Sequence, residues 1–166
     1  MKIFINAGHT KNGKGTGANG YLNESVENRK IACELMKLLA DTKHEVISGI
    51  IDRHDNNLKY IVEQANNSKA DLFVSIHLNA GGGTGVEAYT YKGAQHQQAV
   101  NICKNLAALG FKNRGVKDGT KYYIVKNTTM KAILIEVCFV DNAKDVELYK
   151  QLGCEKIAKA IYDAIV

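Results

Sequence analysis

Three apolar runs in this chain end on a residue able to do chemistry: "KIFINAGH" on His9, "DLFVSIH" on His77 and "AILIE" on Glu136. A single histidine beside a strand is commonly structural. Two of them and a glutamate at matching ends of three runs form a pattern. Glu24 adds a second acid in the first turn of a helix-like segment, just beyond the glycine loop that follows His9. An acid there also suits the partial positive charge of a helix N-terminus. His9, Glu24 and His77 together supply two neutral imidazoles and one carboxylate. That is the donor set of catalytic zinc sites, which keep a position open for water. Zinc lowers the pKa of such a water to about 7, and a carboxylate left over from ligation, here Glu136, can take its proton. One zinc ion is therefore the expected cofactor, although no H-E-x-x-H signature is present.

These residues need a scaffold, and the hydrophobic pattern describes one. "KIFIN", "EVISGI", "DLFVSIHL", "GVEAYTY", "YYIV" and "AILIEV" read as strands. "DLFVSIHL" and "AILIEV" are continuously apolar, as in strands buried on both faces, whereas "GVEAYTY" alternates and reads as half-exposed. "NESVENRKIACELMKLLAD" reads as a helix capped by Asn23, with Val26, Ile31, Leu35 and Leu38 or Leu39 inward. "NNLKYIVEQANNS" presents Leu58, Ile61 and Ala65, and "GAQHQQAVNICKNLAALG" presents Val100, Cys103, Leu106 and Ala107 before closing at Gly110. Two helices finish the chain, "NAKDVELYKQL" capped by Asn142 and "CEKIAKAIYDAIV". The alternation predicts an α/β fold: a single domain over residues 1–166 with a central, largely parallel mixed sheet of about six strands and helices on both faces. Ligands of such sheets bind outside the carboxyl ends of the strands, where His9, His77 and Glu136 fall.

The loop "GTGANG" satisfies G-x-G-x-x-G, but a dinucleotide-binding turn follows its strand almost directly. Here the strand signal ends near Asn6, Gly15 comes only after "AGHTKNGK", and the helix starts beyond the third glycine. Asp52 stands too far along to serve as the ribose-binding acid. The glycines read instead as a mobile polar loop facing substrate. His44, His54 and His96 read as solvated, in a loop, a charged turn and the polar face of a helix, and Asp52, Asp55 and Asp71 as turn or cap residues.

The 166 residues can bury a real core, and 45% hydrophobic with 23% charged residues is ordinary for a soluble globular protein. The net charge of +5 is mild and its basic residues are scattered, so no nucleic-acid partner is expected. A basic surface also suits an anionic polymer such as a cell wall. Cys33, Cys103, Cys138 and Cys154 form no C-x-x-C pair and read as buried free thiols of a chain folded in a reducing compartment. The N-terminus lacks the apolar core of a signal peptide, and no run reaches membrane-spanning length. The expectation is a protein made in the cytoplasm and released, or a fragment of a larger exported one.

At these residues the sequence resembles the zinc-dependent N-acetylmuramoyl-L-alanine amidases of the autolysin and phage-endolysin type, the amidase-3 group. "NAGH" is similar to the opening motif, with Asn6 where Asp is usual. "NESVEN" resembles the acidic ligand followed by an asparagine, here Glu24 and Asn28. "QANNSKADLFVSIHLNA" with "GVEAYTY" matches the segment of the second histidine, and "ILIEVCFVDN" that of the catalytic glutamate. The resemblance runs along essentially the whole chain. It implies that His9, Glu24 and His77 bind zinc, with Glu24 favoured over its neighbours Glu27 and Glu87, and that Glu136 is the acid/base. The implied partner is peptidoglycan and the implied activity is cleavage of the muramoyl-L-alanine amide on the wall side of the membrane, by a monomer. The usual arginine before "AN" and proline before the glutamate strand are missing, and Asn6 for Asp is expected to weaken a contact that orients a ligand. Two other readings compete: a catalytically dead wall-binding module, and a nucleotide-dependent oxidoreductase resting on "GTGANG" alone.

Overall fold

The computed structural model describes residues 1–166. Its strands are β1 (Lys2–Ala7), β2 (Glu45–Ser48), β3 (Leu72–Asn79), β4 (Val86–Thr90), β5 (Asn113–Asp118) and β6 (Lys131–Phe139). They form one sheet in the order β2-β1-β3-β6-β4-β5, parallel throughout except where β4 meets β6. The helices are α1 (Glu24–Ala40), α2 (Asn57–Ser68), α3 (Gln97–Ala108), α4 (Tyr123–Asn127) and α5 (Ala143–Ile165). The α/β class and the mixed sheet expected from the pattern are what the structure has.

Alternate residues of each strand feed two cores. Ile3 and Ile5, Val74 and Ile76, and Ile133 and Ile135 pack with α1, α3 and α5. Phe4, Phe73, Leu134 and Tyr89 pack with α2 and α4. Both faces are thus covered, which is why β3 and β6 read as unbroken apolar runs.

Asn23 caps α1, its Oδ1 accepting from the Val26 N–H at 3.0 Å. Asn142 caps α5 through the Lys144 and Asp145 amides at 3.0 and 3.1 Å. Inside α5, Gly153 takes φ 75° and ψ 163°, so the helix breaks where the sequence divides it in two. Asn142→Ala should lower stability by about 1 kcal/mol, or roughly 2–4 °C in thermal melting.

Several local expectations need correction. "YYIV" is not a strand: its aromatic and β-branched residues form the short helix α4, which turns Ile124 and Val125 onto the smaller core. The sixth strand is instead "NRGVKD", a sheet edge where polar residues reach solvent. β4 is buried along its whole length, because β6 and β5 flank it and both faces are covered. Val26 and Leu58 are exposed, at 41% and 49%, leaving Ile31, Ala32, Leu35 and Leu39 inward on α1 and Ile61, Val62 and Ala65 inward on α2. On α3 the buried stripe is Ala99, Ile102, Cys103 and Leu106, rotated from the expected one, and His96 precedes the helix. All four cysteines are free, but Cys33 is exposed and Cys154 only partly covered. Burial pushes the Cys103 thiol up to about 11, which leaves it inert. No helix is long and apolar enough to cross a membrane.

Candidate metal site at the carboxyl end of the sheet

Past the end of β1, the Gly8 N–H still donates to the Ile76 carbonyl at 2.9 Å, so the chain leaves the sheet beside β3. A Cβ at Gly8 would lie 2.2 Å from the His77 ring, so only glycine leaves the imidazole its place. His9 then takes φ 67°, unusual for a residue with a side chain, and turns its ring toward the His77 ring, 5.0 Å away between centroids. On β6, Glu136 stands in register with His77 on one side and with Glu87 of β4 on the other. Glu24 arrives from the start of α1.

His9, Glu24 and His77 each bring one donor atom, and the three lie within 4.8 Å of one another. Glu24 Oε1 is 3.1 Å from His9 Nε2 and 3.1 Å from His77 Nδ1. A tetrahedral ion with bonds of about 2.0 Å separates its ligand atoms by about 3.3 Å. The donor types and spacing fit such an ion.

The surrounding hydrogen bonds select the tautomers. His9 Nδ1 donates to the Gly15 carbonyl at 3.0 Å, which leaves Nε2 with its lone pair toward Glu24. On the other ring, the Ser75 hydroxyl donates to Asn6 Oδ1 at 2.7 Å, so its oxygen accepts from His77 Nε2 at 3.0 Å and Nδ1 is left as the ligand atom. Asn6 Nδ2 donates to the Gly49 carbonyl at 2.8 Å. Asn6 therefore makes the orienting contact to Ser75 and adds a bond that a carboxylate could not donate.

The glycine loop wraps the Glu24 carboxylate. Ala18 N–H donates to Oε2 at 2.7 Å, Leu78 N–H to Oε1 at 3.3 Å, and a Cβ at Gly17 would lie 2.6 Å from Oε2. The loop is a cradle, but for a side chain of the same protein. Burial pushes the Glu24 carboxyl up, and the two imidazoles overcome this and hold it far below the usual range. Burial likewise lowers both histidines. The Glu24 contact more than offsets that at His9, which ends raised, but not at His77, which ends lowered.

Arg29 was not singled out from the sequence, yet it ties three segments together. Its guanidinium donates to the carbonyls of Ser25 (2.7 Å), His9 (3.2 Å) and Ile51 (2.6 Å). Arg29→Met should weaken metal binding by about 10–100-fold, read by competition with a chromophoric chelator, because it releases the strained His9 backbone. Gly8→Ala should act in the same direction by displacing the His77 ring.

Glu136 is 8% exposed, and its Oε2 has no hydrogen-bond partner. Burial raises its pKa well above normal, the carboxylates of Glu24 and Glu87 add to this, and Lys121 opposes it weakly. Glu87 is the contrasting acid. It bonds Arg114 at 2.6 Å, Lys117, Asn79 at 2.7 Å and the Tyr89 hydroxyl at 2.8 Å, so it is held ionised with no free lone pair for a ligand. Glu27 is engaged with Tyr149 and Lys30, both at 2.8 Å. The only sign of the Arg114 and Lys117 role in sequence was charge in a segment not read as a strand.

The family model described as N-acetylmuramoyl-L-alanine amidase matches residues 3–166. The chain belongs to this family. It is 38% identical over 175 residues to an uncharacterized protein of Clostridium perfringens, covering 99% of this chain and 51% of that one. It is 37% identical over 174 residues to the N-acetylmuramoyl-L-alanine amidase LytC of Bacillus subtilis, covering 99% of this chain and 34% of that one. The catalytic domain of the CD27L endolysin targeting Clostridia difficile superposes with a TM-score of 0.89 at 35% identity, over 99% of this chain and 96% of that one. The chain spans about half the length of the first curated relatives it matches. Membership of this amidase family removes the nucleotide-dependent reading of "GTGANG".

Proposed function

We propose that residues 1–166 form a catalytic domain that hydrolyses the amide between N-acetylmuramic acid and the L-alanine of the stem peptide. His9, Glu24 and His77 hold one zinc ion, and Glu136 is the acid/base. The reading rests above all on three donor atoms at ligand spacing beside a buried, unpaired carboxyl, in a chain of the amidase family. When bound, zinc supplies a Lewis acid for the scissile carbonyl and a lowered pKa for water.

The protein's own groups then have separate tasks. Glu24 and the two imidazoles present lone pairs that their neighbours have already oriented, so little reorganisation is needed. Glu136 receives the proton of the attacking water as the C–O bond forms. It returns that proton to the alanine nitrogen as the C–N bond breaks, leaving a muramic carboxylate and a free amine. Its raised pKa suits it to hold a proton between those events. The dead wall-binding alternative draws no support from the site, since none of the four residues assigned to catalysis is replaced. The proposed substrate implies action on the bacterial wall.

Mass spectrometry of peptidoglycan digested by the zinc-loaded protein should show stem peptides with free alanine N-termini and intact glycan. Glycan fragments, or peptides cut elsewhere, would overturn the assignment.

A further inference from the structure

A second cavity, of about 610 Å3, opens beside the metal site between β2 and α2. It is distinct from the smaller cavity that holds His9 and His77, but Ile51 and Ile61 line both, so the two are immediate neighbours. Its size lies within the range of small-molecule sites. Sequence reading assigned its residues to two strands, a charged turn and a helix, and gave them no function.

The wall has two kinds of surface. Tyr60 and His54 stack on each other, with ring centroids 4.6 Å apart and planes 24° apart, and both are exposed. The Asn56 N–H donates to His54 Nδ1 at 3.0 Å, which fixes the ring in place. Opposite the apolar floor, α2 turns the exposed carboxamides of Gln64 and Asn67 into the same cavity. Its only formal charges are Asp52 and Arg53, which cancel, and Asp52 already contacts Arg29 at 3.4 Å.

Aromatic faces, amide donors and acceptors, and no net charge suit an uncharged ligand with apolar ring faces and hydroxyl or acetamido rims. They do not suit an acidic stem peptide, whose carboxylates would find no unpaired cluster of cations. The geometry points to this groove as a subsite for the N-acetylhexosamine units that flank the muramoyl amide. The inference rests on the amidase reading for its choice of polymer. The groove would then hold the glycan on the acyl side of the scissile bond and admit the amide to the metal site past Ile51 and Ile61.

The test is a nuclear magnetic resonance titration of the full chain with the β-1,4-linked tetramer of N-acetylglucosamine, which has the ring chemistry but no amide to cleave. Shifts are expected at the backbone amides of residues 48–54 and 60–68. Tyr60→Ala should weaken binding by about tenfold, and the double variant Gln64→Ala, Asn67→Ala, altered only at exposed side chains, provides a second reading if the first folds poorly. No shifts, shifts elsewhere, or the same shifts from a free stem pentapeptide would overturn the subsite. Release of alanine N-termini from peptidoglycan is scored separately. Release without tetramer binding overturns the groove and leaves the amidase reading, whereas groove shifts without release support the subsite and sink the hydrolytic reading.

Discussion

Glu136→Gln should keep one equivalent of zinc and lose about 10²–10⁴-fold in the release of alanine N-termini from peptidoglycan, the usual contribution of a positioned acid/base. The substitution preserves shape and removes only the capacity to take and return a proton. Glu136 is suited to that task because nothing in the protein competes for its Oε2, whereas Glu87, one strand away, has its lone pairs occupied by Arg114, Lys117, Asn79 and Tyr89. Zinc content by mass spectrometry and turnover on purified sacculi are both required. Full activity in the variant would remove Glu136 from the mechanism.

The same substitution should make the chelator-treated protein more stable at neutral pH. Burial and two neighbouring carboxylates raise the Glu136 pKa well above its ordinary 4.5. In the unfolded chain the group ionises near that ordinary value, so between the two pKa values unfolding releases a proton and the fold loses stability as pH rises. Below the ordinary value both states are protonated and the penalty vanishes. Thermal melting in a chelator should therefore place the glutamine variant higher at pH 7, by about 2–4 °C for an effect of order 1 kcal/mol, with the gap closing near pH 4. An equal gap at both values would mean that ionisation is not its cause.

The scaffold was legible wherever burial on both faces wrote itself as an apolar run, as in β1, β3 and β6. These strands also carry or precede His9, His77 and Glu136, so the grouping of those residues was legible with them. Glu24 was legible as an acid in a helix's first turn behind an asparagine cap. What failed was the periphery. β5 is polar because it is an edge, and α4 is too short for a helical period to show. Leu58 followed a helical stripe toward the core, yet it lies where α2 borders the metal-site cavity and stays exposed. The partners that select tautomers and hold backbone, Ser75, Asn6, Gly15 and Arg29, meet across separations of up to 69 residues, and no local pattern announces them.

His77→Ala should lose the metal outright. Changes in groups that merely orient a ligand already lower affinity by about 10–100-fold, so removal of a donor from a three-residue site should exceed about 100-fold. His77 is also the more deeply held of the two rings, with its Nε2 fixed by Ser75 and its side chain only 12% exposed. Its removal opens a void in the buried end of the site and strips the Ser75 hydroxyl of its donor, so the variant should melt lower even in chelator. His9→Ala separates the two effects, because the His9 side chain is 31% exposed and its loss opens less of a void. Both variants should emerge from gel filtration without zinc and without activity, but only His77→Ala should show a marked fall in the melting temperature of the metal-free protein. If His77→Ala held zinc at the affinity of the unaltered protein, the ion would have to sit elsewhere, and the tautomer chain through Ser75 and Asn6 would have no metal to serve.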